Sequence, residues 1–384
     1  MRIVYHHRTR ATDAQRVHIL AMVNAFRQLG HDVAIASLVK TEGIQDVAKE
    51  TSEAAWKQMA RKIPFAYEVV QLAYNVFGIP LLLAKVLSWN ADFIYERYSL
   101  FNFAGTIVAR LTRRPLILEV NSPFFLEQKT DNDIRAWRFA GWAERYVCQA
   151  ATRVIVVTGP LKRIMIGLGV PAERLVVMPN GVDREHMRTS DSAESRRREL
   201  GLAGKVVIGF VGWFKKWHGL EFLLEAFHQS DLKMANAALL LIGDGPAMSD
   251  LRNYVAKNDL GQSVVFAGAV AHAEVPSYLE VIDIAVQPAA NEYCCPMKIL
   301  EYMSLGKPVV APKQENIEEL VREGCEAELF RPKDQVDLIR ALTRLAQDPV
   351  ARALIGENAK NSILRRGFLW TNNAQQVIEL ATAR

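Results

Sequence analysis

Cysteine is scarce in this sequence, and no two cysteines have the C-x-x-C spacing of a zinc or dithiol site. The four cysteines are Cys148, Cys294, Cys295 and Cys325. We therefore expect no disulfide framework. The adjacent pair, Cys294 and Cys295, would form a strained disulfide, and we expect it to fill space in a loop without metal or redox chemistry.

A long uncharged run is also missing. The most apolar stretch, residues 63–89, has sixteen uncharged residues between Glu68 and Lys85, whereas a membrane span needs about 20. We predict a helix packed on the first domain, and keep open a surface that touches a bilayer or an apolar acceptor. The first five residues lead into polar sequence without an apolar signal core. The expected location is the cytoplasm, with a peripheral contact at the inner membrane as an option.

Charge is nearly balanced, since 47 basic and 42 acidic residues leave a net charge of +5. This excess allows an anionic ligand but does not require one, and we predict no nucleic-acid partner. With 384 residues, the chain is long enough for two domains of ordinary size.

Two series of short apolar strands alternate with helical sequence, which predicts an α/β protein with two doubly wound parallel sheets. The first series fills residues 1–184, and the second fills residues 200–365. A polar, charged segment between them is interpreted as a connection. Residues 366–384 form a final amphipathic helix. Ligands of such sheets bind beyond the carboxyl ends of the strands, so a cleft between two facing domains is expected.

The segment "NEYCCPMKILEYMSLGKPVVAP" places a helix start after a strand of the second domain. Pro296 fits the first helical position, and Gly306 fits the residue past the helix end. Unpaired amides at a helix start bind phosphate, and Lys298 adds a positive charge there. Glu301 lies on the same helix face, where its carboxylate could hold the diol of a ribose. A surface ion pair between Lys298 and Glu301 is the alternative.

A second loop, "GFVGWFKKWHG", supplies further cations beside two glycines that let the backbone approach a ligand. Lys215, Lys216 and His218 follow Gly212 within this loop. We predict that they hold a diphosphate, with one of the two lysines merely solvated.

These segments, with "GHDVAIAS", "RVIVVTGPLKRIMIGLGVPAERLVVMPNGVD", "LLLIGDGP" and "VVFAGAVAHAEVPSYLEVIDIAVQP", resemble the retaining glycosyltransferases of family 4 nearly end to end. The resemblance implies the GT-B fold, two Rossmann-like domains facing a cleft. It also implies a nucleotide-diphosphate sugar bound mainly by the second domain and an acceptor bound by the first. The C-terminal helix, residues 366–384, is then expected to cross back onto the first domain.

Several family positions carry different residues here. Glu301 matches the ribose-binding glutamate of the family's E-x7-E motif, whereas Tyr293 stands at the first glutamate, one residue from Glu292. The family's arginine and lysine that grip the diphosphate align with Trp213 and His218. The family's histidine after the fourth strand aligns with Asn121, and its Gly-Gly loop aligns with Asp13 and Ala14.

The resemblance and the loop positions give three residue sets. The predicted catalytic residues are His18, Asn121, Lys215 and Lys298. The predicted donor-binding residues are Gly212, Trp213, Lys215, His218, Gly243, Val270, Pro296, Met297, Lys298, Ile299 and Glu301. The predicted acceptor-binding residues are Asp13, His18 and Arg97. For Arg97, an ion pair with Glu96 or Glu119 is the alternative.

The implied reaction is substitution at the anomeric carbon, with a nucleoside diphosphate as the leaving group and retention by front-face attack. No D-x-D pair occupies a strand end, so we expect no metal, and cationic groups would stabilise the leaving diphosphate. UDP is favoured over GDP, and the acceptor is a glycan, a lipid-linked sugar or a small molecule, as in bacterial surface polysaccharide synthesis. A GT-B sugar-nucleotide epimerase is the alternative. A dinucleotide-dependent oxidoreductase is a weaker one, because G-x-G-x-x-G is missing after the first strand.

Overall fold

The protein consists of two compact α/β units in a computed structural model that describes residues 1–8, 14–38, 65–130, 133–184, 193–271 and 274–383. Unit 1 comprises Met1–Pro179 with Trp370–Arg384, and unit 2 comprises Asn180–Leu369. Each unit contains one parallel six-stranded sheet, which confirms the predicted fold class. The division falls a few residues before the boundary expected at residue 184.

The sheet of unit 1 has the order β2-β1-β3-β4-β5-β6. Its strands are β1 (Arg2–His6), β2 (Asp32–Ala36), β3 (Phe93–Arg97), β4 (Leu116–Val120), β5 (Arg153–Val156) and β6 (Leu175–Val177). Strands β3 and β4 are buried along their whole length, as strands covered by helices on both faces must be. The order reverses between β1 and β3, so the loops after these strands diverge at a switch point.

The helices of unit 1 cover both faces of this sheet. They are α1 (Ala14–Gln28), α2 (Ala66–Trp89), α3 (Ala104–Thr112), α4 (Phe124–Thr130), α5 (Trp137–Ala150), α6 (Gly159–Gly167) and α15 (Trp370–Thr382). Helix α15 follows unit 2 in the sequence but packs on α1 and β4 of unit 1. It buries Trp370, Ala374 and Val377, which anchor it there.

Helix α2 joins β2 to β3 within one sheet and packs on β1, β2 and α3. By length and composition it is long and apolar enough to cross a membrane. Its contacts with the sheet instead agree with the predicted packed helix. Only four of its residues are buried, however, and they include Glu68, Leu82 and Val86. Most of the apolar surface of α2 therefore faces outward.

The sheet of unit 2 has the order β12-β11-β10-β7-β8-β9. Its strands are β7 (Val206–Val211), β8 (Ala237–Ile242), β9 (Val264–Gly268), β10 (Ile284–Val286), β11 (Val309–Pro312) and β12 (Ala327–Phe330). The order reverses between β7 and β10, the switch point at which ligands of doubly wound sheets bind. The loops after β7 and β10 are the two that carry the predicted cations.

The helices of unit 2 are α7 (Ala193–Glu199), α8 (Leu220–Gln229), α9 (Met248–Lys257), α10 (Val275–Val281), α11 (Met297–Ser304), α12 (Glu315–Glu318), α13 (Gln335–Gln347) and α14 (Pro349–Arg365). Helix α7 corrects the interpretation of the connecting segment as a linker. It packs on α10, and Arg197 donates to Asp283 at 2.7 Å. Side-chain ion pairing attaches α7 to unit 2. Because this attachment does not require an apolar helix face, the sequence shows no periodic apolar pattern there.

Candidate active site

Two glycine-containing loops interlock at the carboxyl ends of β7 and β8. Gly212 and Gly243 adopt φ angles of 141° and 132°, a region that favours glycine. A Cβ on Gly243 would lie 2.0 Å from the Gly212 carbonyl oxygen, and the Phe214 amide donates to the Asp244 carbonyl at 2.7 Å. The loops therefore pack backbone against backbone. Gly243 serves this packing, and its donor contact stays a prediction.

The loop after β10 is held by two asparagines before it enters α11. The Asn180 side chain donates to the Cys295 carbonyl at 2.9 Å, and the Asn316 side chain donates to the Cys294 carbonyl at 2.7 Å. Pro296 is the residue before α11, one position earlier than predicted. Burial raises the pKa of the Cys295 thiol to about 12, so this thiol stays protonated at neutral pH. The cysteines thus shape the loop that presents the helix start.

Lys298 reaches from the first turn of α11 to the end of β7. Its Nζ lies 4.1 Å from the centre of the Phe210 ring, and 3.2 Å from where a Cβ on Gly212 would stand. Nζ is buried and makes no hydrogen bond within the described part of the chain. Burial lowers the pKa of Lys298 to about 7, although the charge of Glu301 opposes this shift. A buried ammonium without a hydrogen-bond acceptor is costly, unless an anion binds there.

Tyr302 fixes the orientation of α11, and sequence reasoning missed it. Its hydroxyl accepts a hydrogen bond from the Val211 amide at 3.0 Å, at the last residue of β7. Tyr302 is fully buried, and burial raises the pKa of its hydroxyl far above the ordinary value. The bond locks the helix against the strand end, so Lys298 is positioned at Gly212. A tyrosine one residue after the predicted Glu301, on an otherwise apolar helix face, was the available signal.

His218 packs beneath the second cationic loop. Its Nδ1 donates to the Trp213 carbonyl at 2.6 Å, and its ring lies 3.8 Å from the Trp217 ring. Burial and the charge of Lys298 lower the pKa of His218 to about 3, so the imidazole is neutral at physiological pH. Lys215 in the same loop is exposed. His218 is thus a neutral group beside Lys298, and the exposed Lys215 lies in the same loop as His218.

The remaining predicted donor residues differ in what they present. Ile299 is fully buried, and its amide donates to the Pro296 carbonyl at 3.1 Å. Its side chain therefore belongs to the core of unit 2 and is not free to contact a donor. Met297, Glu301 and Val270 are partly exposed at the carboxyl side of the sheet, and Tyr293 is likewise partly exposed.

The predicted residues of unit 1 converge on one buried carboxylate, Glu119 at the end of β4. Arg97 Nη1 lies 2.8 Å from Glu119 Oε1, and His18 Nε2 lies 3.3 Å from the same oxygen. The Asn121 side chain also donates to Oε1, and the Tyr95 hydroxyl donates to Oε2 at 2.5 Å. Sequence reasoning left an ion pair of Arg97 with Glu119 open, and the structure contains that pair.

Burial alone would raise the pKa of Glu119, but the charges of His18 and Arg97 and two hydrogen bonds outweigh it and lower the pKa. The His18 ring also makes an edge contact with Trp370 at 4.7 Å. His18 and Arg97 are both more than nine-tenths buried, so they hold Glu119 and Asn121 in place and offer little surface to an acceptor. Asp13 lies outside the described residues.

Within the described ranges, no group of three or more histidine, cysteine or acidic side chains is arranged to hold a metal ion. The two predicted donor-side cations are Lys298, at the start of α11, and the exposed Lys215, in the loop after β7.

Two known family models match the chain. A family model described as Glycosyltransferase Family 4 matches residues 15–186, and one described as Glycosyl transferases group 1 matches residues 205–348. The chain belongs to these glycosyltransferases. The first match falls almost wholly within unit 1 and the second within unit 2. Matches in both halves to transferase families disfavour the epimerase and oxidoreductase alternatives.

Individual relatives are also sugar transferases. The glycosyltransferase is 26% identical over 264 residues to an alpha-D-kanosaminyltransferase of Streptomyces kanamyceticus, with 67% of this chain and 68% of that protein covered. It is 30% identical over 279 residues to a 2-deoxystreptamine N-acetyl-D-glucosaminyltransferase of Streptomyces fradiae, covering 69% and 64%. Its fold matches the GT-B structure of Anabaena Alr3699/HepE in complex with UDP, with a TM-score of 0.73, 21% identity and 99% of both chains covered.

Proposed function

We propose that this glycosyltransferase moves a sugar from a UDP-sugar to a hydroxyl acceptor with retention of the anomeric configuration. The observation that supports the proposal most directly is the buried Lys298 ammonium, which has no hydrogen-bond partner in the described part of the chain. It lies at the switch point of unit 2, in the first turn of α11. A diphosphate there would accept hydrogen bonds from Nζ and from first-turn amides.

Each donor-side group has a role in this proposal. Lys298 and the start of α11 stabilise charge that develops on the leaving diphosphate, and the exposed Lys215 adds a second cation. Glu301 binds the ribose hydroxyls. Neutral His218, whose Nδ1 is committed to the Trp213 carbonyl, offers Nε2 as an acceptor for a donor hydroxyl. Trp213 is 43% exposed and can cover part of the donor.

On the acceptor side, Glu119 orients the Asn121 amide, and Arg97 and His18 act as positioning residues through Glu119. We infer that Asn121 is the member of this network that contacts the substrate, because it is partly exposed, whereas His18 and Arg97 are more than nine-tenths buried. Front-face substitution then needs no protein nucleophile, since the leaving phosphate accepts the proton of the acceptor hydroxyl.

We choose UDP because the fold resembles that of Alr3699/HepE, whose crystal structure contains bound UDP. The proposed acceptor is a glycan, a lipid-linked sugar or a small molecule. The proposed role is in bacterial surface polysaccharide synthesis, with the reaction taking place in the cytoplasm. Metal independence is part of it, since Lys298 and Lys215 supply the positive charge that a metal would otherwise bring.

The deciding experiment measures the shift in melting temperature with UDP, GDP and their sugars, followed by incubation with candidate acceptors. We expect stabilisation by UDP and UDP-sugars, and a product that keeps the donor's anomeric configuration by NMR. EDTA should leave the rate unchanged. An inverted product would overturn retention, release of a free or isomerised sugar without acceptor would support the epimerase, and the absence of any nucleotide effect would overturn the donor site.

A further inference from the structure

One side of unit 1 carries exposed apolar side chains along almost the full length of α2. The most exposed are Phe65, just before the helix, and Val69, Val76, Phe77 and Leu87, each more than half exposed. Helical spacing brings Val69, Val76 and Leu87 onto one stripe. A long exposed apolar stripe on a protein surface marks a site that another molecule covers.

The stripe carries no carboxylate. Glu68 and Lys85 are the charged residues of α2. Glu68 is buried and accepts hydrogen bonds from the Arg135 amide at 2.7 Å and the Ala136 amide at 3.0 Å. It thereby caps the start of α5, and it joins α2 to that helix. Lys85 packs over the Trp89 ring at 5.7 Å, near the other end of the stripe.

Helix α5 continues this surface with aromatic rings. Phe139, Trp142 and Tyr146 stack in a row, with ring centres 5.5 Å and then 5.1 Å apart. Phe101 stacks on Phe139 at 5.6 Å, and Asn75 of α2 donates to the Phe101 carbonyl at 2.8 Å. These contacts join α2 to the α5 row, and we call the α2 stripe and the α5 row together the aromatic face.

Arginines interleave with the aromatic rings. Trp142 is 44% exposed, and helical spacing places it between Arg138 and Arg145 on the outer side of α5. The one acidic residue of α5, Glu144, is buried, and burial raises its pKa to about 8. At pH 7 the helix therefore shows positive charge alone.

Two open grooves on unit 1 also bring arginines together. One, of about 330 Å³, is lined by Trp137, Arg138, Trp142 and Arg145, with Phe125 and Leu168. The other, of about 420 Å³, is lined by Arg110, Arg113 and Arg114. Each brings arginines together without an acidic side chain in its lining, which suits phosphate groups at a surface.

We propose that unit 1 docks through the aromatic face onto the surface of an anionic phospholipid bilayer. The apolar stripe of α2 enters the boundary between headgroups and acyl chains, Trp142 lies at headgroup depth, and Arg138 and Arg145 bind lipid phosphates. Helix α2 lies on the membrane and does not cross it, because it connects β2 to β3, which both pair with β1 in one sheet. A protein partner would fit the apolar stripe, but the carboxylate-free arginine grooves favour a surface of phosphates.

The test is co-sedimentation of the full chain with vesicles of phosphatidylcholine alone and of phosphatidylcholine mixed with phosphatidylglycerol. We expect binding to the mixed vesicles that weakens with added salt. Arg138→Gln with Arg145→Gln should reduce the partition coefficient about 25-fold, because one basic residue near an anionic surface is worth about 1 kcal/mol, or about fivefold. Val76→Ser with Phe77→Ser should abolish binding, as loss of the inserted groups predicts.

Matched controls lie on unit 2. Lys233→Gln with Lys257→Gln removes two exposed charges, Met234→Ser removes an exposed apolar group, and both should bind like the parent chain. Circular dichroism and the UDP-induced melting shift confirm that each variant is folded and binds the donor. Vesicle binding and donor binding are thereby separable, so either can fail alone.

Three results would overturn membrane docking. The first is a parent chain that does not sediment with the mixed vesicles, and the second is an α5 arginine variant that binds as well as the parent. The third is a dimer in sedimentation velocity that Val76→Ser with Phe77→Ser dissociates, with no vesicle binding; a second copy of the chain would then cover the aromatic face.

Discussion

Raising the pH from 7 to 9 is expected to weaken UDP binding through one group, the Lys298 ammonium. Burial lowers its pKa to about 7 from an ordinary value of 10.5. A bound diphosphate favours the charged form and raises the pKa again, whereas the diphosphate itself is already ionised above about pH 7. At pH 9 about 1% of unliganded molecules hold the proton that binding requires.

If the complex restores the ordinary pKa, linkage makes the dissociation constant of UDP about 50-fold larger at pH 9 than at pH 7. Isothermal titration calorimetry measures this constant directly. Titrations at pH 8 in two buffers of different ionisation enthalpy count protons, and we expect about 0.9 taken up per UDP bound. In the unliganded protein, the free energy of unfolding should rise as the pH increases from about 7 towards 10.5, because only the unfolded chain keeps Lys298 charged there.

Two variants complete this experiment. Lys298→Gln carries no titratable group, so its UDP affinity should be weak at pH 7 and nearly independent of pH. Lys216→Gln removes an exposed charge from the neighbouring loop and should leave the pH dependence intact. A dissociation constant that changes less than about threefold in the parent chain, with no proton uptake, would refute the assignment of Lys298 to the diphosphate.

Three further predictions concern single residues. Glu301→Ala should weaken UDP binding about 10- to 100-fold by calorimetry, because hydrogen bonds to the carboxylate are lost, whereas Glu292→Ala, at an exposed neighbour, should keep UDP affinity. Gly243→Ala should lower both the melting temperature and UDP affinity, because its Cβ would meet the Gly212 carbonyl; Gly261→Ala, with open space around it, should change neither. Glu119→Gln should cost about 3–5 kcal/mol in urea unfolding, because Arg97 stays buried without its counter-ion, and an unchanged midpoint would contradict the network.

Much of the fold could be predicted because its signals are local. Buried parallel strands read as continuous apolar runs, and both series of them appear in the structure with the expected helices between them. Strand β12 is harder to predict, because "AELF" is short and follows a turn without a distinct boundary. Helix α7 was read as a linker, since Arg197 and Asp283, not an apolar face, attach it.

The candidate site was predictable in part for the same reason. Lys298 and Glu301 lie at a helix start that proline and glycine mark in the sequence. Tyr302 could not be assigned, because its partner, the Val211 amide, is 91 residues away in the chain. Nor could spacing reveal that His18, Arg97 and Asn121 share Glu119, since three separate strand and helix ends must meet before the network exists.

During synthesis, unit 1 cannot complete its fold until its last helix has been made. Helix α15 leaves the ribosome after all of unit 2, yet its Trp370 closes over His18 and its apolar side packs on α1. Until then, the apolar surface of α1 that α15 will cover stays exposed in nascent unit 1, next to His18, while unit 2 can already fold. A chain that stops before Trp370 would contain every strand of both sheets and still expose this surface of α1 to chaperones and proteases.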